Sequence, residues 1–416
     1  MSTHLKRRLR IPIHYLGLPF REYFFFLFHS FKQVRQPSVC FEALWQGQFP
    51  GRQKIPVSLG RHALWYFLEA SGLEPGDEVL VAAYNYYVIV RLIVQKRLVP
   101  VFVDVEEKTL CLDKSDLARK ITSKSRLVVV THIYGHPADM TAIHSICQER
   151  KILLFEDCAH GIGTTHRDRW VGSFGDGALF SFGINKLVSA LGGGMLVVQP
   201  TYTNLTGIEE KRWNSLSAIV SVMSRALVAY QMKPGVYGWT NELALNVAVY
   251  LERWGFDWFR NLLTPMKDNS RYRFSVYHGP GYRNFMTNML KPQIERLGDQ
   301  INRRREILKN IEDRLESIVG VELVERDTHG RSNASYFVIR VARPETMARK
   351  FLQLGIGCHP HEFLDCSQLR QFSDFSNYCP VAFEADKHVL RLPIYAEMKE
   401  EAIAALCSAV AEHIDE

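Results

Sequence analysis

The sequence predicts an α/β fold with a mostly parallel central sheet, and two observations support it. Short apolar runs rich in β-branched residues alternate with stretches of helical spacing through the first half of the chain. Polar residues follow several of these runs, at the positions where open α/β sheets bind ligands. The alternation indicates βα units, because parallel neighbours need a crossover connection. The apolar runs are 79–82, 101–103, 127–131, 152–155, 178–182 and 195–198.

The composition is that of a globular protein with room for two domains: 416 residues, 47% hydrophobic and 23% charged. The net charge of +7 suits a partner that carries phosphates. A nucleic-acid partner is not expected, because neither a dense basic helix nor a zinc-ligand spacing is present. The eight cysteines form no Cys-x-x-Cys pair, so we expect reduced thiols in a cytoplasmic protein.

Residues 1–55 are interpreted as an N-terminal arm. The arm carries a basic cluster (Lys6, Arg7, Arg8, Arg10) and an aromatic run at 23–28. One interpretation packs the arm on the main domain or on a partner subunit, and the other places it on an anionic membrane surface. No apolar stretch reaches the roughly 20 residues of a membrane-spanning helix, and no signal peptide is expected.

A helix is predicted to open at 57–64 and to continue to about Ser71, with Ser58 as its cap. Gly60 would let the backbone approach a ligand closely, and the free N–H groups of a helix N-terminus favour a phosphate. Arg61 would either add charge to that contact or point to solvent.

The segment 154–198 carries the residues with the most chemistry. Asp157 follows a predicted strand, Ser181 stands beside Phe182, and Lys186 lies on a polar turn before a run of three glycines (192–194). A carboxylate, a hydroxyl and an amine on the connections of an α/β sheet are the groups that a pyridoxal phosphate site needs. The amine binds the cofactor covalently, and the carboxylate partners the protonated pyridine nitrogen.

Three motifs in this segment, EDCAHGIG, VGSFGDGALFSF and INK followed by GGG, resemble the DegT/StrS-type sugar aminotransferases. The resemblance is close over roughly 56–200 and looser over about 280–416. It implies a fold-type-I pyridoxal phosphate enzyme, with helices on both faces of the sheet and a smaller C-terminal α+β domain. The expected division is an arm at 1–55, a large cofactor-binding domain at 56–290, and a small domain at 291–416.

The resemblance also assigns roles to residues. Lys186 and Asp157 are expected to be catalytic, with the pKa of Lys186 drawn to roughly 7–8 for proton transfer. Tyr86 is expected to stack on the pyridine ring, although Tyr87 competes for this role. His160 would either lie near the ring hydroxyl or serve as a hydrogen-bonding residue of the core. The expected cofactor-binding residues are Gly60, Arg61, Tyr86, Asp157, His160, Ser181, Lys186 and Asn284.

Two regions depart from the family pattern. The connection at about 201–278 is longer than in relatives, and its two amphipathic stretches suggest a helical hairpin over the core or a dimer interface. The segment Gly281–Thr287 differs from the family motif in two ways. Asn284 stands one place later than the family's asparagine, which reaches the cofactor phosphate in the partner subunit. The family's arginine is replaced by Phe285 or Met286. A homodimer with shared sites is nevertheless expected.

A metal site is not expected. His359 and His361 have a spacing that could suggest one, but no third ligand stands nearby in the sequence.

The function implied is transfer of an amino group from an amino acid, such as glutamate, to a nucleotide-linked keto sugar in cell-surface polysaccharide or amino-sugar biosynthesis. Two alternatives remain open. The first is a sugar dehydratase of the same fold, a branch in which histidine replaces the cofactor-binding lysine. The second is a non-catalytic regulatory or scaffolding relative, which the departures at Arg61 and Phe285 allow. The expected location is the cytoplasm, with a peripheral membrane contact as a further hypothesis.

Overall fold

The structure is a computed structural model that describes residues 11–13, 15, 41–202, 205 and 280–414. The expectations about the basic cluster, the aromatic run at 23–28 and the helical hairpin within 201–278 lie outside the described residues.

Regular elements fill most of the described chain. The strands are β1 (Gln53–Val57), β2 (Glu78–Ala82), β3 (Tyr84–Asn85), β4 (Val99–Val103), β5 (Ser125–Thr131), β6 (Leu153–Asp157), β7 (Thr165–His166), β8 (Arg169–Trp170), β9 (Gly177–Ser181), β10 (Gly194–Val198), β11 (Glu322–Leu323), β12 (Phe337–Arg340), β13 (Leu364–Asp365) and β14 (Val389–Leu392). The α-helices are α1 (Gly60–Ala70), α2 (Tyr87–Gln95), α3 (Lys114–Lys120), α4 (Met140–Arg150), α5 (Pro280–Glu295), α6 (Leu297–Leu315), α7 (Pro344–Leu354), α8 (Pro380–His388) and α9 (Glu400–His413). Short 3₁₀ turns lie at Ile133–Gly135, Cys366–Gln368 and Arg370–Phe375.

The central sheet has seven strands in the order β1-β10-β9-β6-β5-β2-β4. Strands β4, β2, β5, β6 and β9 run parallel, while β10 and β1 pair antiparallel at one edge. The prediction of a mostly parallel sheet is confirmed, and the six predicted apolar runs correspond to β2, β4, β5, β6, β9 and β10. The carboxyl ends of β5, β6 and β9 therefore meet at one edge of the sheet.

Strand β1 is a correction to the sequence analysis, which ended the arm at residue 55. Gln53–Val57 pairs along its whole length with β10 and forms the edge of the sheet. Its sequence, QKIPV, lacks a continuous apolar run. The proline is tolerated because an edge strand needs hydrogen bonds on one side only.

Apolar residues cover both faces of the sheet, which explains why its strands are apolar without alternation. In β10, Leu196 and Val198 pack in the cluster that contains helix α1, whereas Met195 and Val197 pack in a second cluster on the other face. The second cluster includes residues of the arm near Trp45, whose ring stacks on Phe182 at 5.6 Å. This part of the arm packs on the main domain, as the first interpretation expected.

The C-terminal part forms a second layered unit. A three-stranded antiparallel sheet, β11-β12-β14, shares a separate apolar cluster with α6, α7 and α9. Ile11 joins this cluster and pairs with Ile356. Two helices, α5 and α6, follow each other here, and they are separate because Arg296 between them departs from helical geometry with φ −101° and ψ 3°. The expected domain boundary at residue 290 falls within α5.

The two halves meet above the carboxyl edge of the central sheet. Strand β13 pairs antiparallel with β3, joining Leu364 to Asn85 and Asp365 to Tyr84. Among the described helices, none is both long enough and apolar enough to span a bilayer.

Candidate active site

A cavity of about 710 Å³ opens at the carboxyl ends of β5, β6 and β9. Seven of the eight residues predicted to bind the cofactor line it: Gly60, Arg61, Tyr86, Asp157, His160, Ser181 and Lys186. The structure thus brings together groups that lie up to about 130 residues apart in the chain. The eighth, Asn284, belongs to helix α5, but its side chain is outside the described part of the structure.

Asp157 is the last residue of β6, and its carboxylate is 4% exposed. Its Oδ1 accepts a hydrogen bond from the Ala159 amide at 2.9 Å. Burial raises the pKa of Asp157 above its ordinary value, although this amide and the charge of Lys186 act in the opposite direction. A cationic ring nitrogen placed against this carboxylate would relieve the cost of burying its charge.

Lys186 lies on a turn that follows β9, where its backbone amide donates to the Gly183 carbonyl at 3.1 Å. The surrounding protein desolvates the amine and lowers its pKa to about 8, while the carboxylates of Glu362 and Asp157 oppose the shift and Arg391 adds to it. Lys186 can therefore accept and donate a proton near neutral pH, as the proton-transfer role requires.

The N-terminus of helix α1 faces the cavity and has no side-chain cap. Its N-cap is Leu59, so the predicted cap at Ser58 is wrong: the Ser58 hydroxyl instead lies 3.2 Å from Nδ1 of His62. A Cβ on Gly60 would come within 2.9 Å of the Ser181 Cβ, so only glycine lets the helix start so close to β9. The uncapped amides and their dipole favour an anion such as a phosphate.

Tyr86 rather than Tyr87 lines the cavity. The Asn85 side chain accepts a hydrogen bond from the Tyr86 amide at 2.7 Å and also contacts Thr131 at 3.1 Å, which ties this residue to the end of β5. The Tyr86 ring is 40% exposed, as expected of an aromatic side chain that faces an open site. Tyr87 begins helix α2 and packs partly against the core.

His160 is nine-tenths buried and stacks on Tyr336, with ring centroids 4.1 Å apart. Burial and the charges of Lys186 and Arg391 push its pKa well below the ordinary value, so the ring is neutral. Its Nδ1 makes no hydrogen bond within the described part of the protein. A neutral imidazole with an unpaired ring nitrogen at the cavity wall fits a cofactor hydroxyl better than a satisfied core histidine.

Several cavity residues escaped the sequence analysis. Thr131 ends β5 beside Asp157, and Glu362 and Phe363 of the C-terminal half also line the cavity. Glu362 directly follows the segment His359–His361, which the sequence analysis considered only for metal binding. Tyr336 gave no signal in the sequence, yet its hydroxyl donates to the Asn185 carbonyl next to the lysine at 2.8 Å.

The two histidines His359 and His361 contact other groups of the protein. His361 pairs with Glu345 at 3.0 Å and with Asp386 at 3.6 Å, and His359 Nδ1 accepts the His361 amide at 3.2 Å. Among the described residues, potential ligands come close together elsewhere, at His132, Glu156 and Cys158.

Hydrogen bonds already occupy two members of this group, His132 and Glu156. Glu156 accepts the amides of Gly172, Phe174 and Gly175, each at 2.7 Å. The Ala138 amide donates to His132 Nδ1, which leaves the proton on Nε2 for Glu156 at 3.2 Å. A metal would have to displace these bonds in a fully buried site.

The groups around the main cavity fit pyridoxal phosphate. They comprise a buried carboxylate of raised pKa, an amine with a lowered pKa, a helix N-terminus at a glycine without a side-chain cap and an imidazole nitrogen that has no hydrogen-bond partner among the described residues. Each matches one polar feature of that cofactor: the ring nitrogen, the aldehyde, the phosphate and the ring hydroxyl.

Fold and cavity together define an α/β protein with a lysine–carboxylate site at the carboxyl edge of its sheet. The model of the DegT/DnrJ/EryC1/StrS aminotransferase family matches residues 41–203 and 259–411, well over half of the chain. The chain belongs to this family.

Curated relatives match a part of the sequence. The GDP-perosamine synthase of Vibrio cholerae is 40% identical over 141 residues, which are 34% of this chain and 38% of that protein. The chain spans less than half the length of the curated relatives it matches first.

Solved structures match along almost the whole chain. The aminotransferase TlmJ from Streptoalloteichus hindustanus superposes with a TM-score of 0.72 at 20% identity, over 97% of this chain and 98% of that one. GDP-4-keto-6-deoxy-D-mannose-3-dehydratase from E. coli, solved with bound hydrated PLP, gives 0.72 at 16% identity, over 97% and 100%. At these identities the likeness establishes the fold.

Proposed function

We propose that this protein is a pyridoxal phosphate-dependent aminotransferase that moves an amino group from an amino acid to a nucleotide-linked keto sugar. The observation that carries the proposal is the pairing, in one cavity, of the Lys186 amine of pKa about 8 with the buried Asp157 carboxylate. When bound, the cofactor would supply a ring that withdraws electrons from the substrate carbon.

The chain's own residues would divide the remaining work. Lys186 would bind the cofactor covalently and then carry a proton between the reacting carbon atoms. Asp157 would keep the ring nitrogen protonated, and the N-terminus of α1 at Gly60 would hold the phosphate. Tyr86 would cover one ring face, while the neutral His160 would accept or donate a hydrogen bond at the ring hydroxyl. Arg61 and Ser181, which also line the cavity, complete the set for the phosphate.

The substrate class rests on the relatives and on charge. The matched proteins include a GDP-perosamine synthase, an L-glutamine:2-deoxy-scyllo-inosose aminotransferase and a spore coat polysaccharide biosynthesis protein. A basic chain of net charge +7 suits a diphosphate-linked sugar. We place the reaction in cell-surface polysaccharide or amino-sugar biosynthesis, with glutamate as the first donor to test.

The decisive experiment measures amino-group transfer across a panel of nucleotide keto sugars by wild type and by Lys186→Ala. Wild type should transfer, and the variant should lose turnover while its circular dichroism spectrum and melting temperature stay unchanged. Lys151→Ala, at the end of a surface helix, is the matched control and should keep full activity. Undiminished turnover in Lys186→Ala would refute the assignment.

A sugar dehydratase is the second candidate, since the E. coli 3-dehydratase shares the fold. The lysine at position 186 favours transfer, because the dehydratase branch carries histidine there. Transfer assays that yield only dehydrated sugar would reverse this choice. A non-catalytic relative is the third candidate, and a purified protein without a visible chromophore, before and after incubation with the cofactor, would support it.

We also propose a homodimer whose two sites are shared, on the resemblance of Gly281–Thr287 to the family segment that reaches the partner. Lys186→Ala and Asn284→Ala, each inactive alone, should recover activity when mixed and allowed to exchange subunits. Absence of recovery with exchange demonstrated, or a monomer by light scattering at micromolar concentration, contradicts the shared site.

The location proposed is the cytoplasm, with the arm's basic cluster in peripheral contact with an anionic membrane. Four basic residues at about 1 kcal/mol each would give about 4 kcal/mol, which is roughly millimolar affinity without help from the aromatic run. The protein should float with anionic liposomes at low salt, and less so at high salt or after all four are changed to glutamine. Protein that remains at the bottom at low salt would favour packing of the arm on the protein instead.

A further inference from the structure

The wall of the cavity carries a second carboxylate besides Asp157, that of Glu362. The loop that bears it is held firmly, because His359 exchanges two backbone hydrogen bonds of 3.0 Å with Arg391 of β14. On the other side, the Phe363 ring packs edge-on against His160 at 5.3 Å. Glu362 therefore has a defined place beside the lysine.

The partner of Glu362 is the guanidinium of Arg391, which is 4% exposed and forms an ion pair with it. Arg391 also lies over the Tyr336 ring, 4.0 Å from its centroid. A buried arginine paired with a carboxylate and stacked on an aromatic ring has little freedom to move. The two charges are thus fixed relative to each other and to the ring.

Tyr336 links this ion pair to the lysine. Its hydroxyl donates to the carbonyl of Asn185, the residue before Lys186, and its ring also stacks on His160. The turn that bears Lys186 and the Glu362–Arg391 pair are therefore held on one side chain. The function proposed above gives no role to Glu362, Arg391 or Tyr336.

We propose that Glu362 and Arg391 act as a positioning pair for Lys186. The opposite charges of this pair control the pH range in which the Lys186 amine carries a proton. Burial is the largest influence on the amine and lowers its pKa; Glu362 and Asp157 raise that pKa, and Arg391 lowers it. The neutral His160 adds no charge. Arg61, on the helix side of the cavity, is a further cation present in wild type and in every variant below.

The inference rests on the proposed function, because Lys186 is the main catalytic residue of that function. The amine is present with or without a cofactor, however, so its protonation can be measured on the full-length chain freed of pyridoxal phosphate with hydroxylamine. Trace labelling with acetic anhydride across a pH series, read by mass spectrometry of the Lys186 peptide, gives the pKa of this amine. Wild type should show a midpoint near pH 8.

The two partners should move this midpoint in opposite directions. Glu362→Gln removes a carboxylate and should lower the midpoint, whereas Arg391→Gln removes a cation and should raise it. We expect the two variants to differ by at least about one pH unit, the size typical of a single nearby charge. A purely structural role would instead loosen the loop and shift both midpoints towards the solvent value.

Variants that retain the charge test whether the substitutions act by unfolding the protein. Glu362→Asp and Arg391→Lys should stay close to the wild-type midpoint. Glu312→Gln is the matched control, because it breaks an Arg326 ion pair of 2.7 Å in the C-terminal half and should leave the Lys186 midpoint unchanged. Shifts of the same sign in Glu362→Gln and Arg391→Gln, or no shift in either, overturn the proposal. If the Lys186 midpoint shifts as expected in both variants but the wild-type protein fails the transfer assay, this inference stands and only the proposed function is rejected.

Discussion

Two adjacent carboxylates at the end of β6 behave in opposite ways. Glu156 is fully buried and receives three backbone amides and the His132 ring. Burial alone would raise its pKa, but these hydrogen bonds lower it below the ordinary value. Asp157 has a raised pKa, because burial outweighs the single Ala159 amide and the charge of Lys186. The fold satisfies the Glu156 carboxylate with hydrogen bonds, whereas it compensates the charge of Asp157 only in part.

The difference follows from strand geometry. Successive residues of a strand point to opposite faces, so Glu156 turns into the protein and Asp157 turns towards the cavity. Glu156 holds the loop 172–175 against β6, which is a structural task. Asp157 keeps an unbalanced charge at the cavity wall, and such sites are where function concentrates. A carboxylate's partners, more than its burial, separate the two roles.

The largest expected effect is on activity. Asp157→Asn should lower the transfer rate by orders of magnitude, since a neutral amide cannot hold the ring nitrogen's proton. Its thermal stability should not fall, because the change removes a buried and poorly compensated charge. Steady-state kinetics with a melting curve measures both. A loss below tenfold, about 1.4 kcal/mol, would show that Asp157 is not the ring partner.

The next largest effect is on stability, and we expect it for a substitution of the neighbouring residue, Glu156. Glu156→Gln keeps one acceptor oxygen for the Phe174 and Gly175 amides but places an NH₂ group against the Gly172 amide and the His132 ring, which lose their acceptor. We therefore expect a loss of about 3–5 kcal/mol in the free energy of unfolding. Activity per folded molecule should change little. Urea denaturation at neutral pH tests the first point, and active-site titration tests the second. Equal stability of Glu156→Gln and Asp157→Asn would remove the distinction between the two sites.

The dependence of stability on pH under acidic conditions should show the same contrast between Glu156 and Asp157, with a smaller effect. The pKa of Glu156 is lowered from 4.5 in the folded state, so its stabilisation is complete above that value and is lost as pH falls through the folded pKa. The pKa of Asp157 is raised, so its protonation on acidification favours the folded state. Urea midpoints measured as pH falls below 4.5 should therefore drop less steeply in Glu156→Gln, and more steeply in Asp157→Asn, than in wild type.

The smallest effect concerns metal. His132, Glu156 and Cys158 offer three potential ligand atoms within 4.8 Å, but hydrogen bonds already occupy the histidine and the glutamate. Addition of EDTA or of zinc should leave the melting temperature unchanged. A rise of several degrees with zinc, absent in Cys158→Ser, would show that the group binds metal after all.

The sequence alone was sufficient for the parallel sheet and for most of the candidate site. Apolar runs mark strands because a sheet covered on both faces needs apolar residues at every position. Asp157, Ser181 and Lys186 could be predicted because they lie within 30 residues of one another, on consecutive connections of that sheet. Gly60 could be predicted because close approach of a helix N-terminus to a ligand requires glycine.

Only the tertiary structure decided the rest. Glu362, Arg391 and Tyr336 lie about 150 to 200 residues beyond Lys186. No local pattern predicts that these three parts of the C-terminal half come together near the lysine. The contrast between Glu156 and Asp157 is likewise invisible in the dipeptide. A carboxylate's pKa depends on burial and on partners, and both are set by segments that reach it only when the chain has folded.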